Sequence, residues 1–201
     1  MELFAPPGSP VSFIHHTVGT DGRRLGHSPI VQMKTGTFFV RIWRILSILG
    51  LLFALFNSYI SYPSEVAVRF DELNQPVQFI SREVLFYVTV AIFLINNTLV
   101  NAVARLFPRV PTGQVLLPNQ RVWAGHRSAL NVVVTNWFYA LMASINTILA
   151  LGLMVLSFLN RSARSIQAID YAWLLPLSTA ILIIVLVALP IRLFMKPGDD
   201  D

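Results

Sequence analysis

Cysteine is absent from the 201-residue chain. That one omission removes disulfide frameworks, thiolate metal sites and a cysteine nucleophile together, and it leaves the redox compartment open. Charge is also scarce: Asp, Glu, Lys and Arg make up 12% of the residues, about half of the roughly 25% usual in soluble domains. No Asp, Glu, Lys or His falls in the middle of a long apolar run. The sequence therefore offers no buried ionisable group of the kind that proton relays and ion-coupled carriers use. It also contains no Walker loop, dinucleotide fingerprint, nucleophile elbow or zinc-protease helix.

Apolar residues fill the space left by charge. They make up 55% of the chain, and the mean hydropathy is +0.63, more apolar surface than a soluble fold of this length can hide. The pattern predicts an all-α integral membrane protein: four transmembrane helices in a small bundle, both termini cytoplasmic. The spans are expected at residues 39–60, 84–107, 136–159 and 171–194, each long enough at ~1.5 Å per residue to cross a hydrocarbon core of ~30 Å. Trp43, Tyr59, Tyr87, Trp137, Tyr171 and Trp173 lie near span ends, where an amphipathic ring suits the headgroup layer. Between the spans the reading gives a cytoplasmic tail (1–38), an extracytoplasmic loop (61–83), a cytoplasmic loop (108–135), an extracytoplasmic turn (160–170) and a cytoplasmic tail (195–201). The first ~30 residues have no apolar core, so no signal peptide is expected there.

The net charge of +5 and pI near 10.1 do not point to nucleic acid. The arginines are scattered at span ends rather than gathered in the dense run that a phosphate backbone requires. With the amino terminus inside, eleven of the fifteen Lys and Arg residues fall on the cytoplasmic side and four on the other, as the positive-inside bias demands.

Polar residues within the spans concentrate on two segments. Asn96, Asn97, Thr98 and Asn101 lie in the second span, and Ser144, Asn146 and Thr147 in the third. Asn97 and Asn101 are one turn apart and share a face. Asn96, Asn97, Asn101 and Asn146 are expected to hydrogen-bond across helices and fix their packing; the competing reading makes them the lining of a conduction path. His15, His16, His27 and His126 have no Cys or carboxylate at ligand spacing, so no metal and no cofactor is expected. Ser58, Ser61, Ser64 and Glu65 lack a nearby base for hydrolysis. Pro176 and Pro190 each remove a backbone donor in the fourth span, which neighbouring helices can offset.

The two loops flanking the second span carry recognisable patterns. Pro63-x-x-Val66-x-x-Arg69-Phe70-Asp71-x-x-x-Gln75-Pro76, ending in Ser81-Arg82, resembles a short extracytoplasmic domain of unknown function found in bacterial membrane proteins, among them immunity and signalling proteins of the SdpI type. Leu117-Pro118-Asn119-x-x-x-Trp123-x-x-x-Arg127 looks like the loop that follows in a subset of that family. The chain has Arg69 where the family usually has histidine, and Gln75 where it usually has glycine. The resemblance implies a bacterial inner-membrane, multi-pass protein. Arg69, Asp71, Arg82, Asn119, Trp123 and Arg127 become candidate partner-docking residues. Three functions compete: a non-catalytic accessory or assembly subunit of a larger respiratory, photosynthetic or secretory membrane complex; a stand-alone SdpI-type immunity or signalling protein; and a small transporter or channel. The expected partners are the lipid bilayer and other membrane subunits.

Overall fold

A computed structural model describes residues 35–73, 75–115, 120–161 and 168–195. The elements run α1 (Thr35–Ser61), β1 (Glu65–Phe70), β2 (Pro76–Ser81), α2 (Arg82–Leu106), α3 (Gln120–Ala124), α4 (Arg127–Leu159) and α5 (Leu174–Phe194). Four helices are long and apolar enough to cross a membrane. Residues 1–34, with His15, His16 and His27, lie outside the described residues, as do the Leu-Pro-Asn motif through Asn119, residues 162–167 and residues 196–201.

α4 is the helix against which the others pack. α1, α2 and α5 each make their main helix–helix contact with it, while α1 and α2 touch only lightly. A third of α4's most apolar window is buried (33%), against 6% for α5. The α1 contact face is Ser47, Leu51, Ala54, Leu55 and Ser58, spaced at the threes and fours that put residues on one helical face. Small side chains alternate with leucines there, and Leu51, Ala54 and Leu55 pack with Leu153 of α4, with Leu149 and Ala150 against them. Small residues let two helix backbones approach closely, and where lipid is the solvent, close packing replaces the hydrophobic effect as the attraction between helices. Four of the buried hydroxyls are satisfied within their own helices, whereas Ser157 Oγ has no partner among the described residues. Ser47, Ser58, Thr89 and Ser144 each donate to a carbonyl three or four residues back in their own helix, at 2.8–2.9 Å.

The connection between the first two long helices, expected as a loop in an all-α protein, contains an antiparallel β-hairpin, so the all-helical expectation is corrected there. Glu65 pairs with Ser81, Val66 with Ile80 and Ala67 with Phe79; the register then shifts to Arg69 with Gln78 and Phe70 with Pro76. Val66, Val68 and Phe70 alternate with polar or small residues, as do Val77 and Phe79, the period-two signature of a strand. Asp71 closes the turn. Its N–H donates to the Gln75 carbonyl at 2.9 Å, and its Oδ1 accepts the N–H groups of Leu73 (3.0 Å) and Gln75 (2.7 Å). Ser81 then ends β2 and caps α2, its hydroxyl accepting the Val84 N–H at 3.3 Å.

The other connection is also more ordered than a loop. Phe107–Arg109 and Thr112–Gln114 are single 3₁₀ turns, α3 follows, and α4 starts at Arg127 rather than at residue 136. The fifth helix starts at Leu174 after a 3₁₀ turn at Ala168–Tyr171. Pro176 therefore sits in its first turn, where no helical donor is needed, and Pro190 alone is interior.

Candidate functional site

Three sets of polar side chains are built by the fold: a carboxamide cluster between α2 and α4, and one tie at each end of the bundle. In the cluster, Asn146 is fully buried and Asn96 nearly so. The Asn146 Oδ1 accepts from Asn96 Nδ2 (3.0 Å) and from Asn97 Nδ2 (3.1 Å), and its own Nδ2 donates back to Asn97 Oδ1 at 3.1 Å. Asn96 also donates to the Met142 carbonyl at 3.1 Å, and Asn97 to the Phe93 carbonyl at 2.8 Å. These groups are neutral amides, able to accept and donate hydrogen bonds but not to exchange a proton near neutral pH. Asn101 does not join them. Its Oδ1 is buried without a partner among the described residues, and the Asn146 carboxamide is engaged by Asn96 and Asn97. The expected four-residue face is a three-residue cluster.

At the end of the bundle where α2 and α5 finish, Trp123 and Arg127 complete two helix termini. The last carbonyls of a helix have no donor within it. The Trp123 indole N–H supplies one to Leu193 of α5 at 2.8 Å, and Arg127 Nη2 donates to the carbonyls of Phe107 (3.1 Å) and Val110 (2.6 Å), just past α2. The Trp123 ring has no exposed surface and packs with Leu130, Val134 and Leu193, with Phe107, Phe138 and Leu189 around them. The Arg127 guanidinium lies 5.1 Å from the Phe107 ring centroid, and that of Arg192 lies 5.7 Å from the Trp123 ring. The expectation that Trp123 and Arg127 present a docking surface is therefore corrected. The Trp123 ring is enclosed by its own chain, and Arg127 is half-buried and committed to backbone carbonyls. His126 is exposed and its Nδ1 lies 3.1 Å from the Val122 carbonyl. No group of three His, Cys, Asp or Glu able to hold a metal occurs among the described residues.

At the opposite end, the hairpin is fastened by Asn160 and Tyr62, which are not among the expected docking residues, and by Arg82, which is. The Asn160 carboxamide behaves as one more strand residue: its Oδ1 accepts the Ala67 N–H at 2.8 Å and its Nδ2 donates to the Ala67 carbonyl at 3.1 Å and to Leu156 at 2.9 Å. Tyr62 is buried, and its hydroxyl donates to the Leu153 carbonyl of α4 at 2.6 Å. Burial pushes that phenol well above its ordinary value, the Ser58 side chain acting weakly in the opposite sense. Arg82 donates to the Tyr62 carbonyl at 3.3 Å, pairs with Glu83 at 3.4 Å and stands 5.0 Å over the Tyr59 ring. The signal for Asn160 was its place at a helix end, where a short amide reaches nearby backbone.

Of the residues expected to dock a partner that lie among the described residues, Arg69 and Asp71 are exposed. With Phe70, Val77 and Gln78 they line a shallow hollow of about 470 Å³ on the hairpin. The same hairpin exposes Leu73, Val77 and Phe79 at half or more of their surface, and among the described residues β2 has no strand on its outer side. In comparisons with known proteins, the chain matches no family model, no curated protein and no solved structure.

Proposed function

We propose that this chain is a non-catalytic accessory subunit of a larger membrane complex, inserted by its four apolar helices in the bacterial inner membrane with both ends in the cytoplasm, and that it meets its partner subunit through the hairpin. The observation that carries the reading is the hairpin itself, held by Asn160, Tyr62 and Arg82 while presenting Leu73, Val77 and Phe79 beside the charged pair Arg69 and Asp71. Apolar side chains gathered outside the spans and rimmed by charge are the make-up of a protein–protein contact. A rigid support limits the ordering cost of binding. Support against a transport path comes from the amide cluster, whose side chains are turned on one another between two helices.

Extraction in mild detergent followed by native sizing tests the proposal. A stoichiometric complex is expected, and Val77→Asp with Phe79→Asp should release the chain from it while leaving its helix content unchanged. A wild-type chain that runs alone at 22.5 kDa plus its detergent argues for the stand-alone immunity or signalling reading instead. Orientation is separately accessible because the chain has no native cysteine. Leu73→Cys should react with an impermeant thiol reagent in intact cells, and Gly125→Cys only after the membrane is opened. The reverse pattern would invert the assignment.

A further inference from the structure

The two edges of the hairpin are not alike. On β1 the Ala67 N–H and carbonyl both turn outward, and Asn160 engages both, at 2.8 and 3.1 Å. In an antiparallel pair, facing residues alternate between exchanging both backbone bonds and exchanging none. Ala67 faces Phe79. This pair therefore exchanges none, and the Phe79 N–H and carbonyl point away from β1. The start of the hairpin keeps the same phase. There the Arg82 N–H donates to the Ser64 carbonyl at 3.0 Å, which puts Ser64 with Arg82, and hence Val66 with Ile80, among the bonded pairs. The open edge of the sheet is the Phe79 side of β2, and among the described residues no strand lies beside it.

The make-up of β2 selects the occupant. Sheet edges that stay in solvent are ordinarily guarded by charge, proline or a bulge. Here the charges sit on the closed strand, at Glu65 and Arg69, and Pro76–Ser81 carries none. Pro76 guards only the first position. The register shifts lie toward the turn, where Val77 has no facing residue in β1. Residues 79–81 keep regular pairing, and their outer edge is unguarded. A backbone donor and acceptor side by side, with no charged side chain on the strand, match another extended backbone. A strand bonded there would lie about 5 Å away, next to the half-exposed Phe79 ring, so an apolar side chain fits at that position.

We propose that the partner subunit adds a third strand to this sheet: an extended, uncharged segment of about five residues alongside residues 77–81, with an apolar side chain beside Phe79. The assignment rests on the docking role of the hairpin and specifies how it docks, through backbone hydrogen bonds at one edge. A second copy pairing β2 with β2 would share about five residues a side, against roughly 20–30 in a stable interface. A subunit held elsewhere in a larger complex does not depend on this strand alone.

The test compares the complex extracted in mild detergent with the same chain expressed alone, by amide hydrogen exchange at residue resolution. The Phe79 N–H should exchange freely in the lone chain and at least about tenfold more slowly in the complex. The Ile80 N–H, in a bonded pair with Val66, should be slow in both. Phe79→Pro removes the outward N–H and leaves the ladder to β1 in place, since proline is tolerated on an edge. Phe79→Val also loses the ring but keeps the N–H. Strand addition predicts that Phe79→Pro is retained in the complex about fivefold less well than Phe79→Val, the worth of one hydrogen bond. Protection of the wild-type amide decides the matter even where Phe79→Pro fails to fold. A complex in which Phe79 stays unprotected, or equal retention of the two folded variants, would overturn strand addition and leave hairpin docking standing. A complex made only of copies of this chain would overturn the choice of occupant. A wild-type chain that carries no partner overturns the docking role and the strand together, and that result is seen before any variant is made.

Discussion

The two ends of the bundle hold their connections by different means. At the hairpin end the ties are single polar side chains reaching backbone: Asn160 to Ala67, Tyr62 to Leu153, Arg82 to Tyr62. At the other end one aromatic ring, Trp123, both fills the core and caps α5, and Arg127 completes the end of α2. The contrast follows from what each end must hold. A two-stranded hairpin has few apolar contacts of its own and is marginal in isolation, so it is fixed through hydrogen bonds to its neighbours. Two helix C-termini bring several carbonyls without donors, and a ring with an N–H meets packing and capping at once. Deletions at the Trp123 end should therefore cost more, and those at the hairpin end should act locally.

The largest effect should come from Trp123→Ala, which removes a fully enclosed ring and the Leu193 cap. A loss of about 3–5 kcal/mol is expected, measured by denaturant titration in detergent. A loss below about 1 kcal/mol would mean that the ring is not a keystone. Next comes Asn160→Ala, which leaves the Ala67 N–H without a partner and should cost about 1–3 kcal/mol. Its signature is faster amide exchange confined to β1 and β2; exchange that spreads into α1 and α4 would break the contrast between local and global ties. Asn146→Leu, between the two ends, should cost about 1–2 kcal/mol by leaving Asn97 Oδ1 without its donor and removing the acceptor that Asn96 and Asn97 share. Asn101→Leu should be neutral or slightly stabilising, since it removes a carbonyl oxygen that has no partner.

Tyr62→Phe should cost about 1 kcal/mol near neutral pH, and it carries a pH signature. Burial raises the folded-state value of this phenol, whereas in the unfolded chain it ionises near its ordinary value of about 10. The unfolded state then binds fewer protons than the folded state above pH ~10. The contribution of Tyr62 is thus fully present below that pH and is lost as pH rises toward the folded value. Tyr62→Phe should remove this part of the alkaline fall in stability, and an unchanged alkaline slope would show that the phenol is not sequestered.

Much of the candidate site could be read from residue types, and less from their roles. The expectation that amides pack between the second and third apolar segments follows from polar residues placed in long apolar runs, where leaving them unpaired is unfavourable. That Asn101 stands apart depends on which α4 residue arrives opposite, a matter of helix rotation and offset that one segment's periodicity does not contain. Trp123 and Arg127 stood out as motif residues, yet a motif is silent on whether its side chains point outward or inward. Val66 and Phe79 belong to an alternating pattern overshadowed by the charged residues around them, so the composition of the segment points to a loop rather than to strands.

The sequence by itself determined the four long apolar helices, because hydropathy over some twenty residues is a local property that needs no neighbour to define it. It likewise determined the shortage of ionisable groups within them. The tertiary structure alone decided that α4 is the common partner and that Asn160 serves as an extra strand residue for the hairpin. Each of these joins residues far apart in the chain, and such meetings are set by the rotation, offset and tilt of whole helices against one another.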